Sequence, residues 1–287
     1  MKNETIKVGL VMKSLQADFF KVMQQGAEEF VNETGCCELK SVGTATQTEI
    51  DKQISLVEQL VDEGVDALVV VPIDSKELVA PVVYAVRKGV TVVNIDIKLD
   101  DALLKKDGVE IDFVGPDNFS ASYAVGRKLA STLSKGDKVI MIEGLPVAEN
   151  AQQRKAGFNK AIEEYGLDCV ASEPANWETV TAEEVFGRLY MKHPDIKAVF
   201  CCNDAMALGV INVLKDAGCK AGEVKVVGFD NDAVMGSYLE DGWMLATADA
   251  YASRMGVEGI RHALALLKEN VSAKGDKSTE FTVIDGK

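Results

Sequence analysis

The amino-acid sequence predicts an α/β protein in which parallel sheets are flanked by helices. Apolar segments typical of strands alternate with amphipathic segments typical of helices along nearly the whole chain. The segment Ala67–Val71 is apolar throughout, as expected of a strand that helices cover on both faces. An apolar stripe with helical spacing is formed by Ile50, Ile54, Val57 and Val61.

The pattern assigns each segment in turn. Expected strands are Ile6–Met12, Glu38–Gly43, Ala67–Val71, Thr91–Ile95, Asp112–Gly115, Lys138–Glu143, Cys169–Glu173, Ala198–Cys202, Val224–Phe229, Met244–Ala248 and Phe281–Ile284. Expected helices are Asp18–Thr34, Gln47–Glu63, Ser75–Lys88, Ser120–Ser134, Asn150–Tyr165, Thr181–Met191, Ala205–Ala217, Ala233–Asp241 and Ser253–Glu269. Lys98–Val109 is polar and breaks the alternation, and Ser272–Thr279 reads as a polar linker. A single core stops growing near this chain length, so the strands are expected to divide between two lobes.

Composition excludes several classes of function. The net charge of −14 over 287 residues argues against binding to nucleic acid or to an anionic membrane surface. No apolar run approaches the roughly 20 residues that span a bilayer, and the first residues do not form a secretory signal. We therefore expect either a cytoplasmic protein or one whose export segment is absent from this sequence.

The sequence offers no assembled catalytic or metal site. Glycine-rich nucleotide motifs and the GxSxG motif are absent. His193 and His262 are isolated and are expected at the surface or at helix ends. The six cysteines form no CxxC pair and read as small buried apolar side chains: Cys36, Cys37, Cys169, Cys201, Cys202 and Cys219. We expect no enzyme activity, no cofactor and no metal.

Polar and aromatic side chains recur where the expected strands end. The ligand crevice of an open parallel sheet lies beyond the carboxyl ends of its strands. The residues in question are Asn203, Asp204, Asp230, Asp96 and Asp249, with Asn150 and Arg154 four apart on one helix face, Trp177 in a loop, and Phe19 and Phe20 after the first strand. Carboxylates, amides and guanidinium groups suit sugar hydroxyls, and aromatic faces suit the C–H faces of a sugar ring. Taken singly, Asp204 could cap a helix, Phe19 or Phe20 could be core, and Arg154 could form a surface ion pair.

Seven motifs follow one another along the chain: LQADFF, VPIDS, VNIDI, VGPDN, AENAQQRKAGF, CCNDAMALG and VVGFDND. In this order they resemble the motifs of ribose/galactose-type periplasmic substrate-binding proteins of ABC sugar importers, the type I periplasmic binding protein family. The resemblance implies two Rossmann-like lobes, each a parallel sheet flanked by helices, joined by a three-strand hinge. It implies an N-terminal lobe of 1–116 plus 251–277 and a C-terminal lobe of 117–250 plus 278–287.

The resemblance also implies roles for individual residues. Phe19 and Phe20 would flank a monosaccharide, and Trp177 would stack on its other face. Hydrogen bonds to hydroxyls would come from Asp96, Arg154, Asn203 and Asp230. Asn150 matches a position that is polar in glucose and galactose binders, and Lys13 and Asp249 are further candidates.

Apolar residues stand where ribose binders tend to carry polar ligand contacts: Ala17, Val71, Ile97 and Ala250. Hydroxyls of ribose left unpaired there would cost about 1–3 kcal/mol each. We therefore expect a ligand other than ribose, such as a sugar alcohol, a deoxy sugar or a small furanose-like signal.

Function follows as an expectation from the same resemblance. Ligand binding would close the hinge, and an ABC permease would recognise the closed form. A chemoreceptor is a second candidate partner, no nucleic acid is expected, and the protein is expected to be a monomer. The expected location is the periplasm or, through a lipid anchor, the cell surface. Two alternatives remain: the effector domain of a lactose-repressor-like regulator without its DNA-binding segment, and a doubly wound enzyme.

Overall fold

The computed structural model describes residues 5–286, which form two compact units. Unit 1 comprises the residues up to Gly115 together with Val147–Glu149 and Tyr251–Thr279. Unit 2 comprises Pro116–Pro146, Asn150–Ala250 and the residues from Glu280 onwards. The chain therefore passes from one unit to the other near Gly115, Ala250 and Thr279, and the short segment Val147–Glu149 belongs with unit 1.

Unit 1 contains a six-stranded sheet. Its strands are β1 (Lys7–Met12), β2 (Glu38–Gly43), β3 (Ala67–Val70), β4 (Thr91–Ile95), β5 (Asp112–Pro116) and β11 (Lys277–Thr279). Their order across the sheet is β11-β5-β4-β3-β1-β2. Its helices are α1 (Asp18–Thr34), α2 (Ile50–Asp62), α3 (Val79–Arg87), α4 (Asp101–Lys106) and α10 (Ala252–Glu269). Strands β1 to β5 pair in parallel, so their carboxyl ends share one edge of the sheet.

Unit 2 repeats this plan with a second six-stranded sheet. Its strands are β6 (Lys138–Glu143), β7 (Asp168–Pro174), β8 (Ala198–Cys201), β9 (Lys225–Val227), β10 (Ala246–Asp249) and β12 (Thr282–Asp285). Their order across the sheet is β12-β10-β9-β8-β6-β7. Its helices are α5 (Asn118–Ala130), α6 (Glu149–Tyr165), α7 (Thr179–Lys192), α8 (Asp204–Asp216) and α9 (Met235–Glu240). All pairs from β6 to β10 are parallel, whereas β12 runs antiparallel to β10.

Buried apolar residues fill the space between sheet and helices, as the apolar pattern requires. In unit 1 the fully buried Val57 of α2 belongs to a cluster with Leu68 of β3 and Val82 of α3. In unit 2 the rings of Phe158 and Phe200 meet edge to face at 5.4 Å. The α/β class and the two parallel sheets predicted from the sequence are confirmed.

Two segments that the sequence analysis read as irregular are ordered elements. Within Lys98–Val109 lies α4, whose N-cap Asp100 accepts a hydrogen bond from the backbone N–H of Leu103 at 2.9 Å. The end of the expected polar linker forms β11, and Asp276 just before it accepts from the N–H of Phe113 in β5 at 2.9 Å. In each segment a carboxylate fixes a backbone N–H group, and the α4 segment also contributes Leu99 and Leu104 to the buried core.

His262 was wrongly expected at the surface or at a helix end. Its Nε2 lies 2.6 Å from Oδ2 of Asp112, a carboxyl that is 2% exposed. Asp112 also accepts from the backbone N–H groups of Lys274 and Gly275 at 2.7 and 2.8 Å. The pair ties the approach to β11 onto β5, a contact between residues 150 positions apart that sequence spacing does not reveal.

The cysteines within residues 5–286 are free thiols, but only three are buried. The prediction is correct for Cys37, Cys201 and Cys202 and wrong for Cys36, Cys169 and Cys219, which are partly exposed. Among the described helices, none is long and apolar enough to cross a membrane.

Candidate functional site

Arg154 on α6 is the centre of the polar groups at the strand ends of unit 2. Its side chain is 3% exposed. Nε donates to Oδ1 of Asn118 at 2.8 Å, and one terminal nitrogen donates to the carbonyl of Cys202 at 2.9 Å and to Oδ1 of Asp230 at 3.2 Å. The guanidinium carbon also lies 3.6 Å from the ring centre of Phe229. Arg154 is therefore a buried hub and not a surface ion pair.

Asp230 reaches Arg154 from an unusual backbone conformation. It follows β9, and its φ of 113° lies in a region that L-residues rarely adopt. The next residue, Asn231, has φ 56°. Such conformations cost about 1–3 kcal/mol each and persist where surrounding contacts hold them. Here they turn the Asp230 carboxylate toward the guanidinium group of Arg154.

Trp177 lies 2% exposed against the end of β6. A Cβ atom at Gly144 would overlap indole atoms Cη2 and Cζ2 of Trp177, so only glycine leaves room for the ring. The indole also lies 5.4 Å from the guanidinium carbon of Arg154. Trp177 itself has φ 71°. The ring is thus fixed beside the Arg154 hub, as an aromatic cover for a ligand requires.

Asn203, not Asp204, caps α8. The Asn203 Oδ1 accepts from the N–H of Met206 at 2.9 Å, and Nδ2 lies 3.4 Å from the carbonyl of Trp177. The alternative role of Asp204 as a helix cap is therefore excluded. The predicted site residue Asn203 has a structural task that fixes its side chain beside Trp177.

Asn150 lies one turn before Arg154 on α6 and is 3% exposed. Its Oδ1 is buried and has no hydrogen-bond partner among the residues that the structure describes. A buried acceptor without a partner costs about 1–3 kcal/mol. This atom is a natural acceptor for a ligand hydroxyl.

Asp249 ends β10 in the same unit. Its Oδ2 accepts from Nδ2 of Asn231 at 3.1 Å, and the side chain is only partly buried. Within unit 2, contacts therefore link five of the six predicted residues, with Asn231 connecting Asp249 to its neighbour Asp230. The sixth, Asn150, lies one turn before Arg154 on α6.

The predicted residues of unit 1 also follow strand ends. Lys13 comes directly after β1, and its ammonium lies 5.3 Å from the ring centre of Phe20. Phe19 and Phe20 open α1 and meet edge to face at 5.2 Å. All three side chains are buried, so the two rings are held in a fixed orientation.

Asp96 comes directly after β4 and is 2% exposed, with φ 65°. Its N–H donates to the carbonyl of Val114 at 3.2 Å, which anchors this bend on β5. Near it in sequence, Ile97 is fully buried, as is Val71 after β3. The strand ends of unit 1 thus combine a buried carboxylate residue with the buried apolar side chains of Val71 and Ile97 and with the buried ammonium group of Lys13.

Two residues that the sequence analysis did not select, Asn118 and Thr247, help to build the unit 2 cluster, together with Asp204, which it named only as a strand-end residue and a possible helix cap. Asn118 holds Nε of Arg154, and Asp204 and Thr247 hold the backbone beyond Asp230. The VGPDN motif contains Asn118, so its place after an expected strand was the available signal. The sequence contains no comparable signal for Thr247, because threonine is common inside strands.

Residues 8–270 match the family model described as periplasmic binding protein domain. The chain is 43% identical over 265 residues to the D-ribose/D-allose-binding protein of Pseudomonas aeruginosa, covering 92% of this chain and 83% of that protein. It is 31% identical to the D-allose-binding periplasmic protein of Escherichia coli, covering 96% and 89%.

Solved structures agree with these relatives. An ABC transporter solute binding protein from Burkholderia multivorans, with an unknown ligand represented as α-D-erythrofuranose, matches with a TM-score of 0.94 and 39% identity over 98% of this chain and 99% of that one. A periplasmic solute binding protein from Actinobacillus succinogenes with bound D-allose matches with a TM-score of 0.91 and 31% identity over 98% of both. The fold, the ordered strand-end residues and these matches together show that the chain belongs to the periplasmic binding protein domain family.

Proposed function

We propose that this protein captures a monosaccharide or a related polyol by hinge closure and delivers it to an ABC permease. The observation that carries the proposal is the buried Arg154–Asp230 pair, 3.2 Å apart, at the carboxyl ends of the unit 2 strands. A buried charged pair with spare donors and acceptors binds hydroxyls strongly, because its hydrogen bonds are charge-assisted. Relatives named for sugars support the same reading.

The proposed ligand contacts divide by chemistry. Arg154, Asp230, Asn150 and Asn203 bind hydroxyls together with Asp96, and Asp249 and Lys13 are further polar contacts. Phe19, Phe20 and Trp177 cover the C–H faces of the ring. The strongest support for these hydroxyl contacts is the unpartnered Oδ1 of Asn150, because a ligand hydroxyl would donate a hydrogen bond to this atom.

Hinge closure follows from a ligand that needs residues of both units. We propose that residues 1–116 plus 251–277 and residues 117–250 plus 278–287 act as the two moving lobes. A ligand that contacts both lobes only when they are closed shifts the equilibrium by its binding free energy. It leaves chemically unchanged, because the proposed role involves no turnover.

We further propose a ligand other than ribose. The buried, apolar Val71 and Ile97 offer no hydrogen bond from their side chains to a ribose hydroxyl. The Burkholderia neighbour, whose unknown ligand is represented as a four-carbon furanose, supports a small furanose-like ligand. The Pseudomonas relative is named for both ribose and allose. Comparing the binding of ribose with that of allose therefore tests whether ribose is excluded as a ligand.

Partners and location complete the proposal. The permease of an ABC importer receives the loaded protein, and a chemoreceptor is a second candidate partner. We propose a monomer in the periplasm or attached to the cell surface by a lipid anchor. Among the described residues no three His, Cys, Asp or Glu side chains form a group that could hold a metal ion. The proposed capture of a sugar requires no metal ion.

A thermal-shift screen tests the function. The panel is D-allose, D-ribose, D-erythrose, the deoxy sugar D-fucose and the polyol myo-inositol. A ligand present at 100 times its Kd stabilises the folded protein by about 2.7 kcal/mol. We expect at least one compound to raise the melting temperature and to reduce the radius of gyration in solution scattering. No shift with any of them would contradict the proposal, and a ribose shift as large as the best would overturn the ribose argument.

A further inference from the structure

Asp204 lies beneath the loop that presents Asp230. It is the first residue of α8 and is 1% exposed. Its backbone N–H donates to the carbonyl of Phe229 at 2.8 Å. A Cβ atom at Gly228 would overlap its Oδ1, so the chain leaves space for this carboxyl group there. Asp204 is thus built into the base of the loop, with almost no exposed surface of its own.

Both carboxyl oxygens of Asp204 hold the loop. Oδ2 accepts from the backbone N–H of Asp232 at 2.9 Å. Oδ1 lies 2.8 Å from Oγ1 of Thr247, and the same Oγ1 accepts from the N–H of Asn231 at 3.3 Å. Thr247 is fully buried. Two consecutive loop amides are therefore held by one pair of buried side chains.

The two amides that Thr247 and Asp204 hold, those of Asn231 and Asp232, lie within or directly after the strained part of the chain. Asp230 and Asn231 have φ values of 113° and 56°. A strained conformation persists only where neighbouring contacts over-determine it. The N–H of Asp230 is itself held by the carbonyl of Ala248 at 2.8 Å. Without the contacts from Asp204 and Thr247, the Asp230 carboxylate would lose its fixed direction toward Arg154.

We propose that Asp204, together with Thr247, is a positioning residue for ligand binding: it holds the Asp230–Asp232 loop in the conformation that brings Asp230 to Arg154. The ligand part of this inference rests on the proposed function, whereas the loop part does not. Asp204 touches the ligand site only through the backbone of its neighbours.

The surroundings of Asp204 disfavour the charged form of its carboxyl group. Burial, followed by the nearby charges of Asp232 and Asp230, raises the pKa of the Asp204 carboxyl well above its ordinary value. Asparagine has nearly the same shape as a protonated aspartic acid: its oxygen can accept from Asp232, and its NH2 group can donate to Thr247. The Asp204→Asn variant is therefore expected to keep the loop, whereas Asp204→Ala removes both contacts.

The test compares five variants with the wild-type protein. Asp204→Ala and Thr247→Val remove the contacts, and Asp204→Asn and Thr247→Ser retain them. Asp137→Ala is the matched control, because Asp137 also accepts from a backbone N–H, that of Ser134 at 2.8 Å, but lies before β6 at the opposite edge of the same sheet. Amide exchange of Asn231 and Asp232 is measured by NMR without ligand, and D-allose affinity is measured by calorimetry.

We expect Asp204→Ala and Thr247→Val to speed exchange of both amides, and to weaken D-allose binding, by about tenfold or more. Asp204→Asn, Thr247→Ser and Asp137→Ala should stay within about threefold of the wild-type protein in both measurements. Unchanged exchange in Thr247→Val would overturn the inference, as would equal weakening in Asp137→Ala.

The two measurements separate this inference from the proposed function. If D-allose does not bind the wild-type protein, D-allose is discarded as a ligand and the exchange rates still decide the role of Asp204. If Asp204→Ala does not fold, the comparison of Thr247→Val with Thr247→Ser decides whether these buried side chains hold the loop. Rapid exchange with unchanged D-allose affinity would refute the link from the loop to binding.

Discussion

The strand ends of the two units carry different chemistry on the same parallel-sheet plan. In unit 2, Arg154 is bonded to Asn118, the Cys202 carbonyl and Asp230. In unit 1, the corresponding edge holds the edge-to-face pair Phe19 and Phe20 beside Lys13, with buried Val71 and Ile97. The unit 2 edge is centred on a buried charged pair, whereas the unit 1 edge combines aromatic and aliphatic side chains with the buried polar residues Lys13, Asp74 and Asp96.

This contrast indicates how a sugar-binding family can change ligand without changing fold. We propose that the fixed charged groups of unit 2 recognise hydroxyls, and their geometry is expensive to alter because hydrogen bonds in one network support one another. On the same proposal, apolar positions in unit 1 reject hydroxyls by leaving them unpaired, so small changes there would alter specificity. Affinity is therefore expected to depend most on unit 2 and discrimination most on unit 1.

The largest effect is expected from Arg154→Ala. Removing one member of a buried hydrogen-bonded charge pair costs about 2–5 kcal/mol, since the Asp230 carboxylate and the Asn118 side chain lose their hydrogen bonds to the guanidinium group. We expect D-allose affinity, measured by calorimetry, to fall at least about tenfold while the protein stays folded. Arg188→Ala is the control, because Arg188 pairs with Glu173 on the exposed surface of the same unit. Equal affinities in both variants would remove Arg154 from the site.

Gly144→Ala is expected to have the next largest effect. The added methyl group overlaps the Trp177 indole, and overpacking of this kind costs about 1–3 kcal/mol. Both the melting temperature and the affinity should fall as the ring is displaced. Gly187→Ala on α7 is the control, since its Cβ meets only Val213 at 4.0 Å and the helix gains up to about 1 kcal/mol. A Gly144→Ala protein with wild-type affinity would show that the ring position does not matter for binding.

Asn150→Ala should separate affinity from stability. It removes a buried acceptor that has no partner among residues 5–286, so the ligand-free protein should melt no lower than the wild-type protein. Ligand affinity should nevertheless fall by about tenfold, because a hydroxyl loses its acceptor. Gln152→Ala, on the exposed side of the same helix, serves as the control. A lower melting temperature with unchanged affinity would assign Asn150 a structural role instead.

The smallest effect is expected in unit 1, from Phe20→Leu. Leucine keeps an apolar side chain but removes the ring face and its contact with the Lys13 ammonium. Ring contacts of this kind contribute about 0.5–1.5 kcal/mol, which corresponds to a few-fold loss of affinity. Calorimetry measures the loss of ligand affinity in Phe20→Leu and compares it with the loss in Arg154→Ala. A Phe20→Leu loss as large as that of Arg154→Ala would reverse the proposed division of roles between the units.

Local pattern was sufficient to predict most of the fold. The apolar run at β3 and the stripe on α2 each follow from periodicity within a few residues. Elements held by distant partners were missed. Segment β11 has little apolar character, and its approach is fixed by Asp112 and Asp276, which meet residues far away in sequence.

The same limit applies to the site. The sequence points to Arg154 and Asp230 because each follows a recognisable strand or helix start. It does not reveal Thr247, whose hydroxyl bonds Asp204 from 43 positions away. Positive φ at Asp230 is also hidden, since aspartate adopts many conformations and only the folded neighbours select this one.

Calorimetric titration of the sugar panel into the wild-type and Asp230→Ala proteins is the decisive experiment. We expect at least one neutral sugar or polyol to bind the wild-type protein, and its affinity to fall by about tenfold or more in a variant that still melts cooperatively. If none of the compounds binds, or if the best one binds Asp230→Ala as tightly as the wild-type protein, then the Arg154–Asp230 pair is not a carbohydrate site.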